Sequence, residues 1–435
     1  MQDVIVIGAG LSGLVAALAL QRGGRRVLLL ERRTRPGGLC GTFELDGYEY
    51  VIACNDFGQG LVEILRQLEI PVAFECKQTH VHYRDRVIVA PLTLDFVRQL
   101  AREPLQLARL VLGVLHYRWM TRDALSLGEF ADRYLAPGLI SDIAQLPTYL
   151  MGVHPRDFST RYLGYEARYN YGYSSPATPV GGPQAMADSM AQAFRERGGK
   201  LYTGTGVNTV AALNGSYQVT LDGGKQLRCR ALVDTRERRD AYAEDTRTGI
   251  PLSMLCCAVD RDLHFPPRVH TLVHYPPDIS DWFGDLERGD LPKSFAFHVF
   301  RSDLPAQKNH YTLNVYFYLP RGVRSPGPGQ AEKVESYILR HIESLLPGFG
   351  KALQYRRLIA PAEFEELHGM SSRVMPYICR EPKPDNYDRK TGIYYAGHSV
   401  YPPGDHAGAA VLSGQLVAKR LLGENPSMPM EGAIT

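Results

Sequence analysis

The chain opens on a continuous apolar run, Val4–Ile7, of the kind a parallel strand buried on both faces requires. The period then changes. Leu11, Leu14, Val15 and Leu18 recur at helical spacing until Gly23 and Gly24 stop the helix. Val27–Leu30 predicts a second buried strand. Leu61, Ile64, Leu65 and Leu68 share one face of a short helix expected within 57–69. Two helical stretches meet at Pro104 between residues 93 and 120. Ser126 and Glu129 form a capping box for a helix running to about Tyr134, and a further helix is expected across 138–150. A helix with Pro183 in its first turn and Gly198-Gly199 at its end carries Met186, Met190, Ala193 and Phe194 on its apolar face.

Strand periodicity follows. Leu201–Leu213 and Ser216–Leu221 flank Asn214-Gly215, the strongest short-range hairpin signal, and Gln226–Val233 comes after another glycine turn. From about 254 to 319 the alternation predicts an antiparallel sheet, with Phe295, Phe297 and Val299 on one face of a strand and Tyr311, Leu313, Val315 and Phe317 on one face of another. A glycine- and proline-rich loop over 322–330 reads as mobile, and a helix over 331–346 turns Val334, Ile338, Ile342 and Leu345 inward. Ile393–Ala396 is a short strand, followed by a Gly/Pro-rich turn and an apolar helix from Ala409 to Leu422. Residues 425–435 read as a disordered tail.

The first turn carries chemistry. Gly8-x-Gly10-x-x-Gly13 lies between strand and helix, and Glu31 ends the second strand, 18 residues after Gly13. Each part has a role in gripping a dinucleotide: Gly8 for the tight turn, Gly10 for close approach to the diphosphate, Gly13 for packing helix on strand. The diphosphate would sit at the positive helix end, and Glu31 would accept from an adenosine ribose, which argues against a 2′-phosphate.

Composition narrows the rest. Hydrophobic residues at 44% and charged residues at 22% exclude wholesale disorder. Forty-two glycines in 435 residues exceed the roughly 7% average without a collagen period, which points to tight turns and close approaches. A net charge of +3 offers no electrostatic footprint for nucleic acid. Seven cysteines without a C-x-x-C pair favour neither a disulfide scaffold nor zinc, and a reducing cytoplasm is expected. Met1 leads directly to Val4–Ile7, so no secretory leader is expected. Leu105–Leu115 carries one charge, Arg109; such a span is more often a buried helix, and an interfacial helix giving peripheral membrane contact is the other reading. No G-x-S-x-G, H-E-x-x-H, P-loop or EF-hand pattern occurs, and no metal is expected.

With Arg35-Pro36-Gly37-Gly38 following Glu31, the opening resembles glutathione-reductase-like flavoproteins, in particular the amine oxidase and phytoene desaturase superfamily of carotenoid desaturase/isomerase type. Many members carry arginine directly after the doublet; here Leu39-Cys40-Gly41 stands there. The segment TPVGGPQAMADSMAQAFRERGGKLYTGTGV through RCRALVDT resembles that superfamily's middle flavin segment, in which the valine matching Val207 contacts adenine. SLGEFADRYLAPGLISDIAQLPTYLMGVHP resembles its helical substrate-domain segment, and GIYYAGHSVYPPGDHAGAAVLSGQLVAKRLL its closing flavin motif, with His398 where an acid is frequent.

The resemblance implies an α/β fold: a glutathione-reductase-like Rossmann FAD-binding domain assembled from 1–80, 180–250 and 370–424, plus a mixed substrate domain of antiparallel sheet and helices from 81–179 and 251–369. It implies non-covalent FAD held by Gly8, Gly10, Leu11, Ser12, Gly13, Glu31, Arg32, Gly37, Gly38, Val207, Gly397, His398, Gly408 and Ala409. Acid–base candidates are His398, Tyr401, Asp405 and His406, with a turn-capping role preferred for His398. Tyr149, Tyr169, Tyr171 and Tyr173 read equally as a substrate pocket or a packed corner. The expected reaction is removal of hydride from a small, apolar, conjugated or cyclic molecule, with oxygen or another compound as final acceptor. Amine oxidation to an imine with hydrogen peroxide, and a non-redox isomerase, mutase or escort role, are the alternatives.

Overall fold

The protein's structure, a computed structural model, describes residues 1–90, 94–120, 125–170, 176–302, 304–305, 307–378, 383–402 and 407–424. It is mixed α/β, organised around two seven-stranded sheets.

In the first sheet the order is Val207–Leu213, Ser216–Leu221, Gln226–Asp234, Gln2–Ile7, Val27–Leu30 and Lys200–Tyr202, with Tyr394–Tyr395 also pairing to Gln226–Asp234. The four pairings around Gln2–Ile7, Val27–Leu30 and Tyr394–Tyr395 are parallel. Val4, Val6 and Leu29 enter one core with the helices Leu11–Arg22, Gly182–Glu196 and Ala407–Leu421, while Ile5, Ile7, Leu28 and Leu30 enter another. Both faces of these strands are covered, which is why their sequences are apolar without alternation. Helices Leu11–Arg22 and Ala407–Leu421 meet backbone to backbone: a Cβ on Gly414 would lie 2.2 Å from the Ser12 carbonyl oxygen.

The second sheet runs Leu353–Ile359, Leu252–Asp260, His310–Tyr318, Phe297–Ser302, Val269–Tyr275, Gln78–Tyr83 and Arg86–Ala90. Its pairings are antiparallel except that of Gln78–Tyr83 with Val269–Tyr275, which is parallel. One face packs on the helix Pro328–Leu345 through Val334, Ile338 and Ile342. The other meets the hairpin Thr42–Leu45/Tyr48–Val51, where Asn314 Nδ2 donates to the Val51 carbonyl at 2.6 Å and Thr312 Oγ1 to the Glu49 carbonyl at 2.9 Å. That hairpin follows directly from the glycine doublet, so the second sheet is held in register with the glycine-rich turn.

Several expectations are corrected. The run Leu201–Leu213 is two strands in different pairings: Gly204 adopts φ +60°, and a Cβ on Gly206 would lie 2.0 Å from the Asp222 carboxylate. The helix expected over 138–150 is two helices, Leu139–Ala144 and Leu146–Met151, because Pro147 has no amide to continue the ladder and begins a new first turn. A helix, Ile279–Arg288, interrupts the region read as strands. The Leu105–Leu115 segment lies in the helix Pro104–Met120 but is not buried: Leu105 is 65% exposed and Leu112 64%. The capping box forms as read, with Ser126 Oγ accepting from the Glu129 amide at 3.1 Å and the Glu129 carboxylate from the Ser126 amide at 2.7 Å.

Candidate cofactor and substrate site

Ile7, Leu30, Asp234 and Tyr395 end parallel strands side by side, the edge where open α/β sheets bind ligands. The glycine turn leaves this edge. Gly8 has φ +95°, donates to the Leu30 carbonyl at 2.7 Å, and would place a Cβ 2.2 Å from Thr235 Oγ1. A Cβ on Gly13 would fall 1.9 Å from the Gly8 carbonyl oxygen. Gly10 differs: a Cβ there meets no protein atom nearer than Gly38 Cα at 3.9 Å. Two glycines are thus demanded by the protein's own packing, and the third leaves room in front of the helix start. Gly10 caps that helix without a side-chain hydrogen bond, so the first-turn amides at Leu11, Ser12 and Gly13 suit an anion.

Glu31 is 6% exposed, with Oε2 accepting from the Ala9 amide at 2.7 Å and Oε1 from the Arg33 amide at 2.9 Å. Each carboxylate oxygen keeps acceptor capacity for a ribose hydroxyl. The Thr205 amide donates to the Glu31 carbonyl at 2.8 Å, and two residues on, Val207 opens its strand at the same edge. The doublet folds onto this turn. Gly37 donates to the Ala9 carbonyl at 2.8 Å, and a Cβ on Gly38, at φ +56°, would come 3.1 Å from Gly10 Cα.

That loop is held by the buried Gln184, which the sequence did not single out, and by the arginines that follow Glu31. Gln184 accepts from the Thr42 amide at 2.9 Å and donates to the Pro36 carbonyl at 3.0 Å. Arg33 donates to the Thr42 carbonyl at 3.1 Å and lies 3.4 Å from the Gly38 carbonyl; burial lowers its pKa. Arg32 donates 2.5 Å to the His368 carbonyl, at the end of the helix Pro361–His368. The Cys40 thiol is hydrogen-bonded to Cys54, and this contact together with burial pushes its pKa up.

At the closing motif Gly397, φ +126°, donates to Ser413 Oγ at 3.1 Å. Ser413 Oγ also accepts from Asn386 Nδ2 at 3.0 Å, and that amide donates to the Tyr401 carbonyl at 2.8 Å. His398 is half-buried and its carbonyl accepts from Lys383, itself only 4% exposed. Gly408 and Ala409 are buried in the first turn of Ala407–Leu421. Tyr169 packs on Ala409 and Leu412, its hydroxyl 3.3 Å from that of Tyr401. Asp405, His406, Tyr171 and Tyr173 lie outside the described residues.

The structure therefore brings Gly8, Gly10, Gly13, Glu31, Gly37, Gly38 and Val207 to one edge, and Gly397, His398, Tyr401, Ala409 and Tyr169 to the adjoining turn. Tyr149 stands apart. It is fully buried, its ring edge-on to Tyr275, Trp282 and Tyr318 and its hydroxyl 3.0 Å from His298 Nδ1. Sequence could have flagged Ser413 and Gln184 as polar residues on apolar helix faces. The partners of Asn386 and Lys383, in a loop without periodicity, carried no signal. A dinucleotide fits: Gly10 leaves space, an uncapped helix start faces it, and a buried carboxylate waits at the ribose position. Among the described residues no group of three or more His, Cys, Asp or Glu side chains is placed to hold a metal.

Comparison with known proteins agrees. The neurosporene-forming phytoene desaturase of Rhodobacter capsulatus is 23% identical, the match covering 97% of this chain and 94% of that one. The zeta-carotene-forming phytoene desaturase of Myxococcus xanthus is 25% identical over 68% of this chain and 67% of its own. In fold the chain is similar to cyclohexylamine oxidase from Brevibacterium oxydans, with TM-score 0.63, 16% identity and coverage of 97% and 99%. The family described as flavin containing amine oxidoreductase matches residues 11–422. With nearly its whole length matched, from the first helix to the closing helix, the chain belongs to the flavin-containing amine oxidoreductase family, whose oxidoreductases use a flavin.

Proposed function

We propose that this protein is an FAD-dependent desaturase or dehydrogenase that takes hydride from a small, apolar, conjugated or cyclic molecule. FAD would be held without a covalent bond by the Gly8–Gly13 turn, Glu31, the Gly37-Gly38 doublet, Val207 and the Gly397–Ala409 motif, and it supplies the hydride acceptor. The observation that carries the reading is the apolar and aromatic cluster in which the half-buried Tyr169 packs on the buried Ala409 and Leu412 beside Tyr401, at the start of the closing helix. The match to proteins named as phytoene desaturases over almost the full chain supports it.

In such chemistry the protein's part is position, dryness and polarity. The Tyr169 and Tyr401 rings exclude water and fix the substrate's plane. The Asn386–Ser413–Gly397 hydrogen bonds fix the turn that carries His398 and Tyr401. Hydride leaves one carbon and a proton its neighbour, leaving a double bond. His398 and Tyr401 are titratable groups on this turn, with Lys383 donating to the His398 carbonyl and Asp405 and His406 next to them in sequence. The test is incubation of purified enzyme with polyene and cyclic precursors and an electron acceptor, read by mass spectrometry. A product lighter by one H2 supports desaturation, and unchanged substrate across the panel counts against it.

A second reading is amine oxidation, for which Tyr169 and Tyr401 provide aromatic rings suited to a cationic amine. Hydrogen peroxide release across an amine panel would favour it. No helix among the described residues is long and apolar enough to cross a membrane. Peripheral attachment to a bilayer is the location that an apolar substrate would ask for.

A further inference from the structure

Of the thirteen exposed large hydrophobic side chains among the described residues, seven fall between residues 94 and 115. They lie on two consecutive helices, Leu94–Leu100 and Pro104–Met120. The longer helix is inverted relative to an ordinary surface helix. Its inner face carries Gln106, Leu107, Leu110, Gly113 and Tyr117. Gln106 accepts from the Ala136 amide at 3.1 Å, Thr160 Oγ1 donates to the Tyr117 hydroxyl at 2.7 Å, and Gly113 lies so close to Tyr134 that a Cβ would stand 2.8 Å away. These contacts, spread from one end of the helix to the other, prevent it from rolling to hide its outer face.

That outer face is apolar. Leu105, Ala108, Leu112 and Leu115 follow at helical spacing, with Val111 beside them; Leu105 is 65% exposed, Val111 51%, Leu112 64% and Leu115 49%. Leu94 at 77% and Val97 at 49% continue the surface on the shorter helix. Single exposed leucines need no explanation, but a contiguous stripe does. Its surroundings indicate what covers it. The Pro104–Met120 helix contains no acid, Arg102 just before it and Arg109 on it are exposed, Glu103 is paired with Arg86 at 3.2 Å, and the shorter helix balances Arg98 with Asp95. An apolar stripe with a cationic rim, on a helix about 25 Å long lying flat on the protein, matches the boundary between acyl chains and anionic headgroups.

We infer that the Leu94–Leu100 and Pro104–Met120 helices dock the protein on an anionic lipid bilayer, with Leu105, Leu112 and Leu115 in the acyl boundary and Arg102 and Arg109 at the headgroups. The inference deepens the proposed function, since a bilayer is where an apolar substrate partitions, and it rests on that reading for its purpose only. Binding itself is measured without substrate.

The experiment is sedimentation of the full-length purified protein with vesicles of phosphatidylcholine, alone or mixed with phosphatidylglycerol. Wild type is expected to sediment with the mixed vesicles, less so with phosphatidylcholine alone, and less as salt rises. Leu112→Glu/Leu115→Glu should weaken binding at least about tenfold, and Arg109→Glu about fivefold on the anionic vesicles. Leu213→Glu, at an exposed leucine on the Asn214-Gly215 hairpin away from the two helices, should change nothing. Circular dichroism and flavin content check that each variant is folded. Wild type that stays in the supernatant, or a double variant that binds as wild type does, overturns the inference. So does a wild-type dimer that Leu112→Glu/Leu115→Glu dissociates without any vesicle binding. Vesicle binding by an enzyme inert to every apolar substrate would sink the substrate reading and leave this one standing, and an active enzyme that ignores vesicles would do the reverse.

Discussion

Replacing Gly10 by alanine separates cofactor binding from folding. Gly10 has φ −69° and ψ 175°, a conformation alanine adopts without strain, and the added methyl meets only Gly38 Cα, at 3.9 Å. The apoprotein should therefore lose no stability, and could gain about 0.4–1 kcal/mol from a stiffer unfolded chain. The methyl would occupy the space through which a diphosphate approaches the first-turn amides. Losing one charge-assisted hydrogen bond there costs about 1.5–3 kcal/mol, a roughly ten- to hundredfold weaker flavin. Gly13→Ala is the contrast. Its methyl would be 1.9 Å from the Gly8 carbonyl oxygen, so strand and helix must separate, at a cost of about 1–3 kcal/mol or more in the apoprotein itself. Urea denaturation of the two apoproteins gives stability, and fluorescence titration with FAD gives affinity. Gly10→Ala binding flavin as wild type does would refute the placement of the diphosphate. If Gly10→Ala unfolded as easily as Gly13→Ala, Gly10 would be a packing residue and the space beside it would not be the diphosphate's.

Ser413→Ala removes the acceptor of the buried Gly397 amide and should lower stability by about 1–3 kcal/mol and speed flavin release; an unchanged melting temperature would contradict the role given to that hydroxyl. Tyr149→Phe keeps the ring packing but strips His298 Nδ1 of its partner, so melting should drop by the equivalent of about 1 kcal/mol with flavin content and turnover intact; a selective rise in KM would instead put Tyr149 in the pocket. Burial lowers the pKa of His298 to about 3 and those of His82, His274 and His368 to about 4, from an ordinary 6.5. Below pH 6.5 the unfolded chain takes up protons that these folded histidines refuse. Stability should thus be level above 6.5 and fall as pH drops toward 4, by about 1.4 kcal/mol per pH unit for the fully buried His298. A urea midpoint at pH 5 equal to that at pH 7 would contradict this.

What the sequence made legible was local. The glycine turn, Glu31, the capping box at Ser126 and the hairpin at Asn214-Gly215 each declare themselves within a few residues, because their backbone geometry admits few side chains. The misreadings arose where distant partners decide. Apolar content carried Leu201–Leu213 as one strand, but Gly204 and Gly206 break it so that its halves can pair with Val27–Leu30 and Ser216–Leu221. The parallel pairing of Gln78–Tyr83 with Val269–Tyr275 joins segments far apart in the chain, and no local pattern encodes it. Of the tyrosines, Tyr149 went to the aromatic interior and Tyr169 to the closing helix, although both sit in similar helical surroundings in sequence. In the helix Pro104–Met120 the apolar residues favour burial over an interfacial role, yet the face that packs is the one with Gln106 and Gly113.

The central claim is that the flavin of this chain takes hydride from an apolar, conjugated or cyclic substrate. The most direct test follows the visible absorption of the purified flavoprotein under anaerobic conditions, as members of a polyene and cyclic-precursor panel and of an amine panel are added in turn. The account predicts that the band bleaches with an apolar compound, returns when an acceptor is admitted, and is untouched by amines. Bleaching by an amine, with hydrogen peroxide released on admitting oxygen and no response to any apolar compound, would contradict it.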